Sequence, residues 1–455
     1  MAKAKLERKT LKDKLVPVDI QPYTIPGNWC WTYLSCVCAF ENGYAFKSER
    51  FAEEGIPVIR ISNIKDNEVD IDDCVYTSET DVEERFLVKK GDLLIAMSGA
   101  TTGKNGVYLL EEKAYLNQRV GNIKVIDRNV ISERFRNYYI MSKREDILRS
   151  AYGGAQPNIS SAKIGEMPLP LPPLSEQQRI VGQIESLFFK LDEANVKIQD
   201  TIDDSENRKS AILFKAYSGD LTEEWRVKNN IKRTGWKSVK LSEVCKINPP
   251  KIDCKDLDDD MEVSFYPMPA LSEITGTITD PQVRKISEVK KGFTNFSEGD
   301  VVFAKITPCM ENGKSAIIGK LVNDIGYGTT EFFVMRCSKE LLNIYLYHMV
   351  RSKRFRDEAK AVMTGAVGQQ RVPKSFLEEY KIELPSVDEQ AEIIRIVDDA
   401  ICKEQIIVDN CEKVMEQINM MKRTILAKAF RGELGTNDLS EESSIELLKQ
   451  VIANE

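Results

Sequence analysis

Two segments of this chain match at a spacing of 213 residues: Leu-Pro-Pro-Leu-Ser-Glu-Gln at 171–177 and Leu-Pro-Ser-Val-Asp-Glu-Gln at 384–390. Ile-Leu-Phe-Lys-Ala-Tyr-Ser-Gly-Asp-Leu at 212–221 and Ile-Leu-Ala-Lys-Ala-Phe-Arg-Gly-Glu-Leu at 425–434 match at the same spacing, as do Gln-Pro-Asn-Ile at 156–159 and Gln-Gln-Arg-Val at 369–372. Towards the N-terminus the spacing drifts. Trp29 and Leu34 match Trp236 and Leu241 at 207 residues, and Gly-Asp-Leu-Leu-Ile-Ala at 91–96 matches Gly-Asp-Val-Val-Phe-Ala at 299–304 at 208. A repeat of this kind requires two copies of one structural unit. Each copy has a front that tolerates changes of length and a back that does not.

The backs predict long helices. Ile184, Phe188, Leu191, Asn195, Ile198, Ile202, Ser205, Lys209 and Ile212 step by alternating threes and fours, the signature of a coiled-coil seam. The seam recurs in the second copy at Ile394, Val397, Ile401, Glu404, Val408, Cys411, Met415, Ile418, Lys422 and Ile425. Asn195, Glu404, Lys209 and Lys422 place polar groups in apolar seams, a device that fixes register and partner at some cost in stability. Helices of about 40 residues are about 60 Å long, longer than two helices packed inside one ordinary domain usually are. Prolines at 168–173 and 385 mark sharp starts, with Ser175 and either Ser386 or Asp388 as candidate N-caps; Gly219 and Gly432 are candidate stops.

The fronts, around 20–170 and 230–385, carry short β-rich runs such as Val58-Ile-Arg-Ile61, Leu93-Leu-Ile-Ala96, Val301-Val-Phe-Ala304 and Phe332-Phe-Val-Met335, separated by Gly, Asn, Asp and Thr clusters. They predict α+β domains with many exposed loops. No apolar run approaches the ~20 residues of a bilayer span, and the basic start lacks the apolar stretch of a signal peptide, so a cytoplasmic protein is expected. The ten cysteines include no Cys-x-x-Cys and are expected to be reduced, without a metal site. A single histidine, His348, lies among apolar neighbours, which leaves little room for a catalytic triad and points to packing. The net charge of −7 gives nucleic-acid binding no support from the total and requires any basic surface to be local.

Three local motifs invite an enzymatic assignment and fail it. Asn248-Pro-Pro-Lys251 is similar to the box that holds a flipped adenine in amino-methyltransferases, but lysine has no aromatic face to stack on a base and no glycine-rich cofactor loop precedes it. Ser98-Gly-Ala-Thr-Thr-Gly-Lys-Asn105 lacks the first glycine and the final hydroxyl of a P-loop; Pro308-Cys-Met-Glu-Asn-Gly-Lys-Ser315 has proline where a glycine is needed. Neither predicts ATP binding. Their corresponding places predict a shared Gly-Lys loop whose amides and lysine, Lys104 or Lys314, could meet a DNA phosphate, or else a solvated turn. The segments 156–160 and 368–373, which precede the helices, offer Gln156, Asn158, Gln369, Gln370 and Arg371, side-chain types that read base edges and also form ordinary loops. Asn117-Gln118-Arg119 and Thr329-Thr330-Glu331 occupy comparable places after the Gly-Lys loops.

The segment 171–181, Leu221-Thr-Glu-Glu-Trp-Arg226, Phe303-Ala-Lys-Ile-Thr-Pro-Cys-Met-Glu-Asn-Gly-Lys314, Thr364-Gly-Ala-Val-Gly-Gln-Gln-Arg-Val-Pro373 and the segment 425–434 together resemble the specificity subunits of type I restriction-modification systems. The resemblance, with the repeat, covers nearly the whole chain from about residue 20. It implies an α+β fold of two globular target recognition domains, each followed by a long helix, with the two helices packed as an antiparallel coiled coil. The corresponding segmentation is a charged extension at 1–20, a first recognition domain at 21–172 and a first spacer helix at 173–220. A second recognition domain at 221–385, a second spacer helix at 386–434 and a tail with a short helix at 435–455 complete it. The implied partners are double-stranded DNA, two modification (methyltransferase) subunits and the restriction (endonuclease and translocase) subunits, with no membrane. The implied cofactors lie elsewhere: S-adenosylmethionine on the modification subunit, ATP and Mg on the restriction subunit, and none on this chain, which has no catalytic or metal site of its own. By position, the expected DNA contacts are Arg60, Asn63, Lys104, Gln118, Arg119, Gln156 and Asn158 in the first domain. In the second they are Lys305, Thr307, Lys314, Thr330, Gln369, Gln370 and Arg371. The competing reading is a coiled-coil scaffold without DNA specificity, which would explain the seams but not two variable, loop-rich domains each joined to the same helix. In the family the tail can also pack near the N-terminus and close the arrangement into a circle.

Overall fold

The computed structural model describes all residues except 1–9, 66, 79–81, 153–156, 233–234, 255, 367, 455 and the side chain of residue 454. It divides into two compact units, residues 1–196 with 414–455 and residues 197–413. The division runs through both long helices, Leu174–Ser218 and Val387–Arg431, of 45 residues each. At 1.5 Å per residue each is about 68 Å long. Among the described residues no helix is long and apolar enough to cross a membrane.

The helix ends follow from local chemistry. Ser386 caps the second helix: its Oγ accepts the N–H of Glu389 at 3.3 Å. Ser175 does not cap the first. That helix already begins at Leu174, so Ser175 lies inside its first turn and donates to Glu441 at 2.6 Å instead. Gly219 (φ +84°) and Gly432 (φ +74°) end the helices in the left-handed region, where a side chain is disfavoured.

The seam falls where its period places it. Every seam residue from Ile184 to Ile212 and from Ile394 to Ile425 is buried or half-buried. Within the first unit, the start of one helix meets the end of the other. Ile180, Val181 and Ile184 share a core with Leu426, Ala429 and Phe430, and Lys422 bonds Asp192 while lying 5.3 Å from the Phe188 ring centre. Within the second unit, Leu213 and Ala216 share a core with Ile393 and Val397. The pairing is antiparallel in each unit. The polar seam residues find local partners: Glu404 takes Arg208 in a forked ion pair (Nε at 2.8 and 3.0 Å, one terminal nitrogen at 2.9 Å) and Lys209 takes Glu206 at 2.9 Å. Asn195 does not: its side-chain oxygen has no hydrogen-bond partner among the described residues.

The globular parts repeat a common sheet order, with one strand more in each larger sheet of the first unit. In the first unit Cys38–Asn42, Val120–Val125, Leu93–Ala96, Asn105–Val107 and Asn67–Glu68 lie in that order in one sheet. In the second, Cys245–Ile247, Phe332–Cys337, Val301–Ala304 and Ser315–Ile317 take the same order. Each unit has another sheet built on one parallel pair, Ile56–Ile59 with Ala114–Leu116 and Glu262–Tyr266 with Gly326–Gly328. Arg60 and Ile61 fall outside the strand that the β-rich run predicts, at the entry to a 3-10 turn. All ten cysteines are free thiols.

The repeated Glu-Gln dipeptide joins globular part to helix. In the first unit the buried Glu176 accepts Trp29 Nε1 at 2.7 Å, while Gln177 donates to the carbonyls of Val130 (2.9 Å) and Pro172 (3.1 Å) and accepts the N–H of Ser132 (2.8 Å). In the second, Glu389 accepts Trp236 Nε1 at 2.9 Å. Gln390 donates to Glu340 (2.8 Å) and Pro385 (3.0 Å) and accepts from Leu342 (2.9 Å). Both joints are completed by a segment that follows a long helix. Asn437 Nδ2 donates to Glu176 at 2.8 Å, and Thr222 (2.7 Å) and Arg226 (2.6 Å) donate to Glu389. The tail of the chain therefore belongs to the first unit. Asn28 bonds the carbonyl of Asp438 at 2.9 Å, and Ser444 donates its N–H to the carbonyl of Asn28 at 3.0 Å. These contacts hold the tail against the start of the first globular part, within one unit.

Candidate nucleic-acid interface

In each unit three loops far apart in sequence are drawn together by backbone hydrogen bonds. The first Gly-Lys loop joins the hairpin strands Leu93–Ala96 and Asn105–Val107. Its Gly99 N–H donates to the carbonyl of Pro157 at 3.0 Å, Ile159 N–H donates to Met97 at 3.0 Å, and Met97 N–H donates to Arg119 at 2.9 Å. The second unit repeats this geometry. Thr307 N–H donates to Gln370 at 3.0 Å, Val372 N–H to Lys305 at 2.9 Å, and Lys305 N–H to Glu331 at 2.9 Å. Each Gly-Lys turn needs its glycine. Gly103 (φ +84°) and Gly313 (φ +74°) are left-handed, and a Cβ at Gly103 would sit 3.1 Å from the carbonyl oxygen of Arg144. Both loops lead into a strand rather than a helix, so neither supplies the helix N-terminus on which a P-loop depends.

The expected contact residues divide by what their side chains already do. Gln118, Arg119, Asn158, Thr330 and Gln369 are exposed, while Lys104, Lys314 and Gln370 are half-buried. The side chains of Lys104, Gln118, Arg119, Asn158, Lys314 and Gln370 have no hydrogen-bond or ion-pair partner among the described residues. Lys305 extends over the Phe333 ring, 5.5 Å from its centre. These residues gather on the converged loops with uncommitted donors and acceptors.

Four of the expected contact residues have partners within the protein. Asn63 is buried, and its side-chain oxygen accepts the N–H of Arg60 at 3.0 Å, so it shapes a turn rather than facing a partner. Arg60 is half-buried and reaches back to the carbonyl of Asp73 at 3.4 Å. Thr307 Oγ1 accepts the N–H of Gln370 at 3.1 Å and so holds two loops together. Arg371 is committed to Glu331 through Nε (3.0 Å) and a terminal nitrogen (2.9 Å), which holds the Glu331 carboxyl below its usual range and raises the guanidinium. Gln156 lies outside the described residues.

Other side chains that build the site carry no recognisable motif. Thr102 is buried, and its hydroxyl reaches the carbonyls of Gly99 (2.7 Å) and Pro157 (3.3 Å), closing the first loop onto the pre-helix segment. Arg351 bonds the carbonyl of Gly313 at 3.0 Å, and Arg356, whose pKa is lowered by burial, bonds that of Glu311. Both are helix residues, and both spend their charge on loop carbonyls. The tempting Asn248 is likewise occupied. Its side-chain oxygen accepts the N–H of Val334 at 3.0 Å, in a left-handed turn (φ +51°). His348 donates Nε2–H to Asp398, 2.7 Å away, and burial lowers its pKa; it ties a helix of the globular part to the second long helix.

The family profile described as type I restriction modification DNA specificity domain matches residues 26–212 and again 233–410. Among curated proteins, the EcoKI specificity subunit of Escherichia coli K12 is 24% identical over 427 residues, covering 90% of each chain. The StySPI specificity subunit of Salmonella potsdam is 22% identical over the same share. The EcoEI specificity subunit of Escherichia coli is 35% identical over 259 residues, but that alignment spans 48% of this chain and only 43% of the relative. A solved chain from a study of complex assembly and conformational transition of the type I R-M system superposes at a TM-score of 0.66 with 17% identity, covering 91% of this chain and all of that one (100%). The HsdS subunit from Thermoanaerobacter tengcongensis gives 0.54 and 18%, covering 91% and 99%.

Proposed function

Because the chain belongs to the type I restriction-modification DNA specificity family, we propose that it reads a bipartite duplex DNA target, one half-site per globular unit. The observation that carries this reading is the convergence of three loops in each unit, with side chains that have no partner among the described residues: Lys104, Gln118, Arg119 and Asn158 in the first and Lys314 and Gln370 in the second. Lys104, Arg119, Lys305 and Lys314 suit phosphates, for which a charge on a mobile stem is sufficient. Gln118, Asn158, Thr330, Gln369 and Gln370 suit base edges, where paired donors and acceptors discriminate. Asn63, Thr307 and Arg371 act instead as the framework that holds those loops.

In this reading the long helices set the gap between half-sites, as dimer spacing does in other DNA readers. Their exposed faces receive two modification subunits, which methylate one adenine in each half-site after flipping it. Restriction subunits add ATP-driven translocation and cleavage at unmethylated sites. The chain supplies address and scaffold in the cytoplasm, while S-adenosylmethionine, ATP and Mg stay with the partners. An acidic chain can do this because the basic residues are local to the loops and the partners complete the positive channel.

The test is a genome-wide map of adenine methylation in the native host with this gene intact and deleted. Loss of methylation at one bipartite motif on deletion supports the reading and gives the target. An unchanged map in a host that expresses the neighbouring methyltransferase, together with no salt-dependent duplex binding by the purified complex, overturns it in favour of a scaffold without DNA specificity.

A further inference from the structure

The two units differ at one matched place. In the first, the segment preceding the globular part folds back over it. Leu15 bridges Thr32, the Val16 N–H donates to the Trp31 carbonyl at 3.0 Å, and the Thr32 hydroxyl donates to the carbonyl of Lys14 at 2.8 Å. The segment thus adds to the free edge of the strand Cys30–Tyr33, whose other edge pairs with Pro168–Leu171. Tyr23 then seats its ring edge-on against Trp31, 4.9 Å between centres, donates its hydroxyl to the carbonyl of Phe430 at 3.1 Å, and accepts Trp31 Nε1 at its own carbonyl at 3.1 Å. Leu11, Leu15 and Ile25 pack on the core that holds Phe135, Tyr139 and Phe430. A Cβ on Gly432 would come within 2.5 Å of Pro26 Cγ, so the glycine admits the segment.

In the second unit no described strand takes the same place. The strand Lys237–Lys240 pairs with Lys381–Leu384, and its other edge pairs with no strand among the described residues. By strand register Ser238, opposite Glu383, corresponds to Trp31, opposite Pro170. Ser238 is exposed, whereas Trp31 is 3% exposed. The carbonyl matching that of Phe430 at a spacing of 213 residues belongs to Tyr217. Beside it lies a cavity of about 400 Å³ whose lining includes Phe214, Tyr217, Tyr345, Met349, Tyr380 and Ile382 together with the charged Arg354, Asp357 and Glu383, the last opposite Ser238. Among the described residues before this strand, Ile231 N–H turns back to the carbonyl of Arg226 at 2.9 Å.

We propose that this strand edge and aromatic cavity dock an extended segment of a partner protein, which adds a β-strand along Lys237–Lys240 and inserts a tyrosine beside Tyr217. The first unit is the internal precedent, since the same groove there is filled by this chain's own extended, tyrosine-bearing segment. Strand addition supplies main-chain hydrogen bonds and the cavity supplies the side-chain choice. The proposal does not depend on the DNA reading, because the groove is lined by the first long helix and its flanking elements rather than by the converged loops.

A fluorescent peptide copying residues 14–28 is the probe, titrated against the full chain and followed by anisotropy. Saturable binding is expected. Tyr23→Ala in the peptide and Met349→Arg in the chain should each weaken it at least tenfold. Ser238→Trp, which restores the indole donor present in the first unit, should tighten it about three- to tenfold. A gain of affinity cannot come from misfolding. No binding up to about 1 mM peptide, or binding that neither Met349→Arg nor Ser238→Trp alters, overturns the proposal. Concentration-dependent self-association of the chain that the peptide disrupts would assign the groove to a second copy and overturn the partner. Duplex binding by the same variants should be unchanged.

Discussion

Glu176 and Glu389 occupy the same place in the repeat, yet their replacement by glutamine should cost different amounts. Glu389 faces a buried cation. It accepts Arg226 at 2.6 Å, and the two side chains are 5% and 1% exposed. Glutamine there leaves the Arg226 charge out of water with neutral partners alone, its amide oxygen, the Thr222 hydroxyl and the Gly219 carbonyl. Uncompensated buried charges of this kind cost about 3–5 kcal/mol. Glu176 faces neutral donors alone: Trp29 at 2.7 Å, Asn437 at 2.8 Å and Thr436 at 3.4 Å. An amide retains part of that bonding, so Glu176→Gln should cost about 1–3 kcal/mol. The difference of about 2 kcal/mol is more than tenfold in the local opening equilibrium. Hydrogen exchange in a urea series, read on peptides spanning 172–184 and 385–397, measures the two joints separately. Adding Arg226→Met to Glu389→Gln should recover more than half of the loss, because no charge is then stranded. Equal losses at the two joints, or no recovery in the double variant, would refute the ion-pair argument.

Lys104→Ala or Lys314→Ala should weaken duplex binding across all sequences and lower the magnitude of the salt slope by about 1, read from binding at several salt concentrations. Gln370→Ala should instead relax base preference in one half-site by about 1–3 kcal/mol and leave the other unchanged, read by competition with single-base variants. The Glu331 carboxyl is held below its ordinary value of 4.5 by Arg371, and that of Glu404 by Arg208. Since the folded values are depressed, these pairs contribute fully above the ordinary value and are lost as pH falls through the lower folded one. Acid loosening of the 329–332 segment should therefore begin below about pH 4.5 in hydrogen exchange, and Glu331→Gln should remove that dependence. Inserting seven residues into both long helices lengthens each by about 10 Å. In the ruler reading the methylated motif then widens by about three base pairs, as a methylation map would show.

The seam was legible because period 3.5 is written in consecutive residues and needs no knowledge of the partner. The converged loops were legible only as separate segments. What unites them is backbone bonding, such as Gly99 to Pro157 and Thr307 to Gln370, in which side-chain identity plays little part. That is also why the partners of Asn63, Thr307 and Arg371 within the protein were not legible. Polar residues in loops serve the loop as often as they serve a ligand, and only the partner's position tells which. The role of Glu176 was hidden for a simpler reason: Trp29 lies 147 residues away in sequence. The basic start of the chain had no legible role, although residues 11–28 turn out to cover a strand edge and an aromatic groove.

The constant spacing of the backs and the drifting spacing of the fronts have one physical cause. Each joint is anchored at both ends of a buried acceptor: Trp29 or Trp236 at the first strand, and the segment after a long helix on the other side. A change of helix length by one residue would rotate the seam by about 100° and pull one anchor away from its glutamate. Most loop positions bear less constraint, because beyond a few holding side chains such as Thr102, Thr307 and Arg371 their framework is main-chain hydrogen bonding, which accepts any side chain that leaves the backbone path intact. Recognition residues are thus free to change while the joint keeps the loops at a fixed attitude to the helix. The two copies nonetheless solved the joint with different chemistry, an ion pair with Arg226 in one and a neutral network with Asn437 in the other. What the repeat preserves is therefore the position of a buried acceptor rather than the identity of its donors.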